Sequence, residues 1–271
     1  MAQANPRIAL VTGASSGIGK ATAQALATTG YRVYGTSRRA DGGTVNGITM
    51  LPCDVTDDAS VSKLFEDVLA KAGRIDLLVN NAGFGVVGGA EESSVDQARA
   101  MFDVNIFGVM RMTNAVLPAM RRQKSGRIVN IGSLLGLIPA PYNAIYSASK
   151  HAVEGYTESL DHELRAFGIR ATVVEPAYTN TAFEENKVKP DQALDIYDQI
   201  RAATEQFMHA AVRKGDAPEI VAQTVLEAAK AAKPKRRYPA GKMARKTRML
   251  RSFVPEDAFD KSLRKQMGLP V

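Results

Sequence analysis

A single cysteine, Cys53, stands among the 271 residues, so no intrachain disulfide can form and a cysteine metal cluster is excluded. Histidine is scarce too: His151, His162 and His209 are the only three, which argues against a histidine-rich centre, and no bound metal is expected. No apolar run approaches the about 18 residues needed to span a bilayer. The stretch Met1 to Arg7 lacks the apolar core of a secretory signal. These absences lead to the expectation of a soluble, cytoplasmic protein of a reducing compartment. Internal repeats and low-complexity segments are missing as well. What is present is ordinary globular composition, 45% apolar and 23% charged, in a length that suits one large α/β domain over residues 1–271.

The formal charge of +7 is unevenly placed. Nine cations lie between Lys233 and Arg251 with no acid among them, while the rest of the chain carries 26 basic and 28 acidic groups. Leu250, Phe253, Val254 and Phe259 interleave with this charge. The basic C-terminal segment, residues 233–271, therefore suits either a solvated face or contact with an anionic partner. Among such partners a peripheral membrane surface is placed ahead of nucleic acid.

Over about the first 180 residues, short β-branched runs alternate with longer amphipathic ones, the pattern of a parallel sheet with crossover helices. Strands are expected at 7–12, 32–36, 48–52, 76–80, 127–131 and 170–175, with a weaker seventh at 237–239. Helices are expected at 17–29, 59–72, 97–123 and 146–167, the first and last ending at Gly30 and Gly168. In the last, Val153, Tyr156, Leu160, Leu164 and Phe167 form a helical stripe suited to core or subunit contact. Residues 180–213 break the rhythm with a long polar stretch after a strand end, a natural lid over a substrate pocket.

The first strand runs into Thr12-Gly13-Ala14-Ser15-Ser16-Gly17-Ile18-Gly19 as a helix opens. Glycines at such a turn permit close approach of backbone to a pyrophosphate, and the helix N-terminus offers it N–H groups. Gly13, Ser15, Ser16, Gly17, Ile18 and Gly19 are thus candidate dinucleotide contacts. After the second strand, where an acid would select the free ribose 2′-hydroxyl of NAD, the chain reads Ser37-Arg38-Arg39. Arg38, helped by Ser37, suits a 2′-phosphate, so NADP is expected rather than NAD. Asp54-Val55 is placed to hold the adenine edge. Asn81-Ala82-Gly83, at the end of the fourth strand, suits a turn passing close to a flat ligand.

Tyr146 and Lys150 lie four apart at a helix start, hence on one face. An ammonium beside a phenol favours the phenolate and brings its pKa, near ~10 when free, towards neutral pH. Ser133, 13 residues before the tyrosine, is placed to hydrogen-bond a substrate carbonyl. Asn105 is placed to hold a water linking Lys150 to solvent.

Together Thr12–Gly19, Asn80–Gly83, Asn105, Ser133 and Tyr146-Ser147-Ala148-Ser149-Lys150 resemble the short-chain dehydrogenase/reductase family over roughly residues 7–182. The resemblance implies a single Rossmann-type α/β domain, a doubly wound seven-stranded parallel sheet with helices on both faces. It also implies hydride transfer at nicotinamide C4, with Tyr146 as general acid/base, Ser133 orienting the substrate, Lys150 binding the nicotinamide ribose, and Asn105 completing a proton relay. Family members usually carry Pro-Gly after the sixth strand. Here Pro176-Ala177 is followed by Tyr178-Thr179-Asn180-Thr181, with Pro176, Ala177, Thr179 and Thr181 left as cofactor contacts and Tyr178 at the substrate entrance. Arg237 to Ala244, Pro255 and Phe259-Asp260 are similar to the hydroxysteroid and retinol dehydrogenase branch, which acts on lipophilic alcohols and ketones. Leu135, together with Leu134, Leu137, Ile138 and Tyr142, gives the pocket an apolar rim. The expected function is NADP(H)-dependent interconversion of a lipophilic ketone or aldehyde and its alcohol, by a homo-oligomer paired through helices 97–123 and 146–167. The alternative is an NADP(H)-sensing binding protein on the same fold with a macromolecular partner.

Overall fold

The computed structural model describes residues 6–183 and 187–266. The expected lid and basic segments extend over 184–186 and 267–271, which lie outside the described residues.

Eight strands form one sheet in the order β3-β4-β2-β1-β5-β6-β7-β8. They are β1 (Ile8–Val11), β2 (Arg32–Ser37), β3 (Thr44–Val45), β4 (Ile48–Pro52), β5 (Leu77–Asn80), β6 (Gly126–Ile131), β7 (Ile169–Pro176) and β8 (Arg237–Ala240). Seven match the expected strands and pair in parallel. The eighth, β3, is an antiparallel edge strand joined to β4 through Asn46 and Gly47. Both turn residues have positive φ, 52° and 77°. Such a turn matches the twist of a two-residue hairpin, and Asn-Gly is its strongest sequence signal, so β3 was legible there.

Strands buried on both sides are apolar at every position. In β1, Ile8 and Leu10 face one layer and Ala9 and Val11 the other, as a period of two dictates. The first layer takes Phe65 and Val68 of α2 (Asp58–Ala72), Met112 and Met120 of α4 (Gly108–Gln123), and Leu160 of α5 (Ala144–Leu164). The second takes Leu26 of α1 (Gly17–Thr28) and Val221 and Val225 of α7 (Pro218–Lys230). Burying a Leu or Val side chain in such layers stabilises the fold by about 1.5–3 kcal/mol. The chain winds outward in opposite directions from β1 and β5, which opens a crevice beyond their carboxyl ends.

The helix expected over 97–123 is interrupted. α3 (Val95–Phe102) passes through a wide π turn at Asp103–Phe107 before α4 begins. Gly108 lies so close to Val55 that an added Cβ would come within 2.8 Å of its methyl group, and the buried Asn105 amide is tied to Phe84. These tertiary demands shift the register by one residue, too little to disturb an apolar repeat. α5 is followed by a 3-10 turn at Arg165–Phe167 and by Gly168 at φ 72°, near the expected end. Val153, Leu160 and Leu164 of its stripe are buried, while Phe167 is exposed.

Beyond β7, α6 (Asp198–Arg213) and the chain before it lie along residues 85–97. Val188 N donates to Gly85 O, Gln97 Nε2 to Lys189 O, and Ser94 N to Asp191. The buried Glu92 carboxylate accepts from Leu194 N and Arg201. After β8 come α8 (Gly241–Phe253) and α9 (Glu256–Gln266). Among the described residues, no helix is long and apolar enough to cross a membrane.

Candidate active site

The turn after β1 is built for close approach. Gly13 and Gly17 have φ of 64° and 51°, a region that L side chains resist. A Cβ on Gly19 would come within 2.2 Å of Gly13 O, so this glycine lets α1 pack onto the turn. Asn81 Nδ2 donates to Thr12 O at 2.9 Å and Gly13 O at 3.2 Å, and Thr12 Oγ1 accepts from Asn81 N and Ala82 N. The ends of β1 and β5 are thereby locked across the crevice. Ser16 is the N-cap of α1 but makes no side-chain cap bond, and the first turn holds no acid, so its N–H groups are open to an outside anion. Ser15 and Ser16 are exposed and Ile18 is half-buried. This donor set and glycine cradle fit a dinucleotide pyrophosphate.

Thr181 faces the same turn: a Cβ on Gly17 would lie 3.2 Å from its side chain. Thr179 is buried, and its hydroxyl donates to Ala177 O. Residues 178–180 are bridged to Asp216 on both sides, which holds this stretch despite the alanine at 177. Arg38 is exposed just past β2, and Ser37 O accepts from Cys53 N. The Asp54 carboxyl lies below the usual range, chiefly because Thr56 N–H and hydroxyl donate to it, with Arg38 and Arg111 adding positive charge nearby. Val55 is buried beside Gly108. The expected Asp54-Val55 and Arg38 positions thus share one edge of the crevice.

Ser133 follows β6, and its Oγ accepts from Leu135 N at 3.1 Å, leaving its proton free to donate. Tyr146 and Lys150 lie in the first two turns of α5. The Lys150 ammonium donates to Ile131 O at 2.9 Å and sits 5.7 Å from the centre of the Tyr146 ring. Burial lowers the Lys150 pKa from 10.5 to about 8, opposed by the Glu154 charge one turn further on. The serine after β6 and the tyrosine–lysine pair, tied to the last residue of β6, thus all lie at the carboxyl end of the sheet.

Asn105 is buried in the π turn before α4. Its Nδ2 donates to Phe84 O and Ser149 Oγ, and its Oδ1 accepts from Phe84 N. Both ends of the amide are engaged in holding the loop after β5. An added Cβ on Gly83 would meet the same amide at 3.0 Å. Phe183 packs over Tyr146 at 6.0 Å between ring centres, and Tyr178 meets Phe207 of α6 edge-on at 6.4 Å. A small pocket lined by Val86, Gly89, Tyr142 and Ile145 reaches the residue before Tyr146. Of the expected rim, Leu134 and Ile138 are buried in the core, whereas Leu135, Leu137 and Tyr142 stay partly exposed.

Sequence reasoning missed an ionic cluster behind the centre. Glu154 of α5 and Glu175 of β7 are buried, and Arg237 of β8 lies 2.9 Å from the first, 3.2 Å from the second and 2.8 Å from Glu158. Arg248 of α8 completes it at 2.9 Å from Glu175. Burial and then the neighbouring Glu175 push Glu154 up to about 8, against the pull of Arg237. Arg237 contacts Glu154 as an ion pair without good hydrogen-bond alignment, for neither Glu154 oxygen has an aligned donor among the described residues. Gly132 and Gly136 flank Ser133 because the Glu154 side chain fills their space: a Cβ there would meet it at 2.6 and 2.9 Å. The one signal for this acid was a carboxylate four residues after the lysine on the same helical face.

Comparison with known proteins agrees with this geometry. The family model described as short chain dehydrogenase matches residues 7–192. The 3-ketodihydrosphingosine reductase of Bacteroides thetaiotaomicron is 44% identical over 67% of this chain and 67% of its own length. Human 17-beta-hydroxysteroid dehydrogenase type 1 is 37% identical over 85% of this chain and 76% of its own. Bovine retinol dehydrogenase 8 is 34% identical over 84% and 80%. A solved short-chain dehydrogenase of Streptomyces avermitilis superposes with a TM-score of 0.83 at 32% identity, covering 97% of this chain and 96% of that one. One from Burkholderia phymatum in complex with NAD gives 0.79 at 30% identity, covering 93% and 95%. One from Burkholderia cenocepacia in complex with NADP gives 0.74 at 26% identity, covering 97% and 98%. The chain thus belongs to the short-chain dehydrogenase family, as an oxidoreductase with hydroxysteroid and retinol dehydrogenases among its relatives.

Proposed function

We propose that this oxidoreductase uses NADP(H) to interconvert a lipophilic ketone or aldehyde and its alcohol. The placement of Ser133, Tyr146 and Lys150 at the carboxyl end of the sheet, beside the dinucleotide crevice, carries the reading, and the names of its relatives, a 3-ketodihydrosphingosine reductase and hydroxysteroid and retinol dehydrogenases, support the substrate class. When bound, the nicotinamide supplies or accepts the hydride. In the reducing direction the Ser133 hydroxyl donates to the carbonyl oxygen and steadies its growing negative charge. The Tyr146 hydroxyl delivers the proton to that oxygen, and the Lys150 ammonium favours the phenolate that remains. Residues 180–213 act as a lid that excludes water, with Tyr178 and Leu135 at the substrate entrance. A sensor would need no such complete proton-transfer set. The test is loss of NADPH absorbance with a panel of lipophilic ketones and aldehydes; no loss with any of them overturns the reading.

NADP preference rests on Arg38 at the ribose edge, where no acid stands to repel a 2′-phosphate. Arg38→Asp is expected to weaken NADPH binding roughly 100-fold, the scale of a charge-assisted hydrogen bond replaced by repulsion, and to leave NADH binding nearly unchanged. Fluorescence titration of both cofactors checks this, and equal losses would refute it.

The rate of reduction is expected to hold at neutral pH and to fall as pH rises through about 8, where Lys150 loses its proton. Glu154→Gln removes a group whose charge, as it forms near pH 8, favours the ammonium, so the inflection should move to lower pH. A kcat/KM profile for each protein reads the shift; an unmoved inflection would detach it from Lys150. Pairing of two copies through α4 and α5 is the assembly we propose, read by light scattering.

A further inference from the structure

We infer that the outer face of α8 is a docking surface for the headgroup layer of an anionic lipid bilayer. The helix has two unlike sides. Its inner side is fixed: Gly241 and Ala244 are buried, Arg248 pairs with the buried Glu175, and a Cβ on Gly241 would collide with the Asp216 carboxylate. That anchoring decides what faces outward. Met243, Leu250 and Phe253 recur at helical spacing with Met249 beside them, and all four are exposed, Phe253 at 83%.

Lys242, Arg245 and Lys246 are exposed around this apolar patch, and no acid occurs between Lys233 and Arg251. Apolar side chains that insert at the acyl boundary, ringed by cations that meet lipid phosphates, are the chemistry of an interfacial helix. A second copy of the chain would instead set one cationic rim against another, which disfavours it as the occupant. The acids of α9 are in part neutralised within the C-terminal pair: Glu256 is 3.4 Å from Arg251.

The placement has a chemical sense. α8 packs against β7, β8 and the turn Leu134–Gly136 that follows Ser133. A bilayer under α8 would therefore lie beside the substrate side of the centre and present a dissolved lipophilic ketone there. This deepens the reaction proposed above, but the surface itself is read without turnover.

The experiment is sedimentation of the full chain with vesicles of phosphatidylcholine containing phosphatidylglycerol, at about 0.15 M salt, against vesicles of phosphatidylcholine alone. Binding to the anionic vesicles is expected, with far weaker binding to the neutral ones. The pair Lys242→Gln and Lys246→Gln should weaken partitioning roughly 30-fold, from the usual contribution of a lysine near an anionic surface. The pair Leu250→Ser and Phe253→Ser should weaken it at least about tenfold through lost insertion. Circular dichroism and NADPH binding by these variants should match the parent, which separates loss of the surface from loss of fold. Absence of binding to anionic vesicles overturns the inference, as does equal binding to neutral ones. So does a parent dimer that dissociates with the Leu250→Ser and Phe253→Ser pair, since a second copy would then cover the face. Failure of the ketone panel with vesicle binding intact would remove the reaction and leave the surface.

Discussion

Phenylalanine in place of Tyr146 is expected to abolish measurable turnover while NADPH binds almost as before. The substitution removes one hydroxyl and keeps the ring, so the contact with Phe183 at 6.0 Å and the packing beside Gly85, where an added Cβ would lie 3.5 Å from the ring, are preserved. What is lost is the proton that must reach the substrate oxygen as the hydride arrives. A positioned general acid contributes about 10²–10⁴-fold, and without it the alkoxide would have to form beside a half-buried ring. Single-turnover measurement of NADPH oxidation with any responsive ketone, alongside a cofactor titration, separates the two effects. Retained turnover would contradict the assigned role, and loss of cofactor binding would point to a collapsed site.

Arg237→Ala should be among the most destabilising single changes in the chain. One guanidinium serves three carboxylates, and two of these, Glu154 and Glu175, are buried. Burial works against the charge on Arg237, but the hydrogen bond that its Nε donates to Glu158 and the nearby Glu154 charge outweigh it and hold its pKa above the ordinary value. Removing one partner from a buried ionic cluster costs roughly 3–5 kcal/mol, since the charges left behind stay out of water. The sign of the pH dependence follows from Glu154. Its folded pKa is raised from 4.5 to about 8, so the folded state favours its protonated form, and that contribution is lost as pH rises through about 8. The penalty of Arg237→Ala should accordingly be smaller near pH 6 than near pH 9, where an unpartnered carboxylate must carry its charge. Urea unfolding at both values reads it. A penalty independent of pH would mean that the arginine acts by packing alone.

The parts of the centre that sequence shows are local. Gly13, Gly17 and Gly19 fall within one turn, and Tyr146 and Lys150 within another, so spacing alone brings them together. Ser133 needed only the end of a strand that its apolar run already marked. The ionic cluster was hidden because its members come from α5, β7, β8 and α8, up to 94 residues apart, and nothing in a composition count pairs them. Arg237 and Arg248 were read as part of a basic surface, yet both turn inward to meet buried acids. Asn105 was legible by position, but its bonds to Phe84 and Ser149 were not, since they depend on a π turn that leaves the apolar repeat intact. The hairpin at Asn46-Gly47 was overlooked because its first strand is two residues long.

The late position of Arg237 and Arg248 bears on how the molecule is made. During synthesis the helix carrying Lys150 and Glu154 leaves the ribosome well before either arginine has been added, and so does Glu175. Until β8 and α8 emerge, those acids have no counter-ion and must stay hydrated or protonated, so the nascent enzyme cannot close its sheet around them. The last eighth or so of the chain is thus the clasp that sets the earlier part, and a product cut short before Arg237 should be recognised by proteases as unfinished.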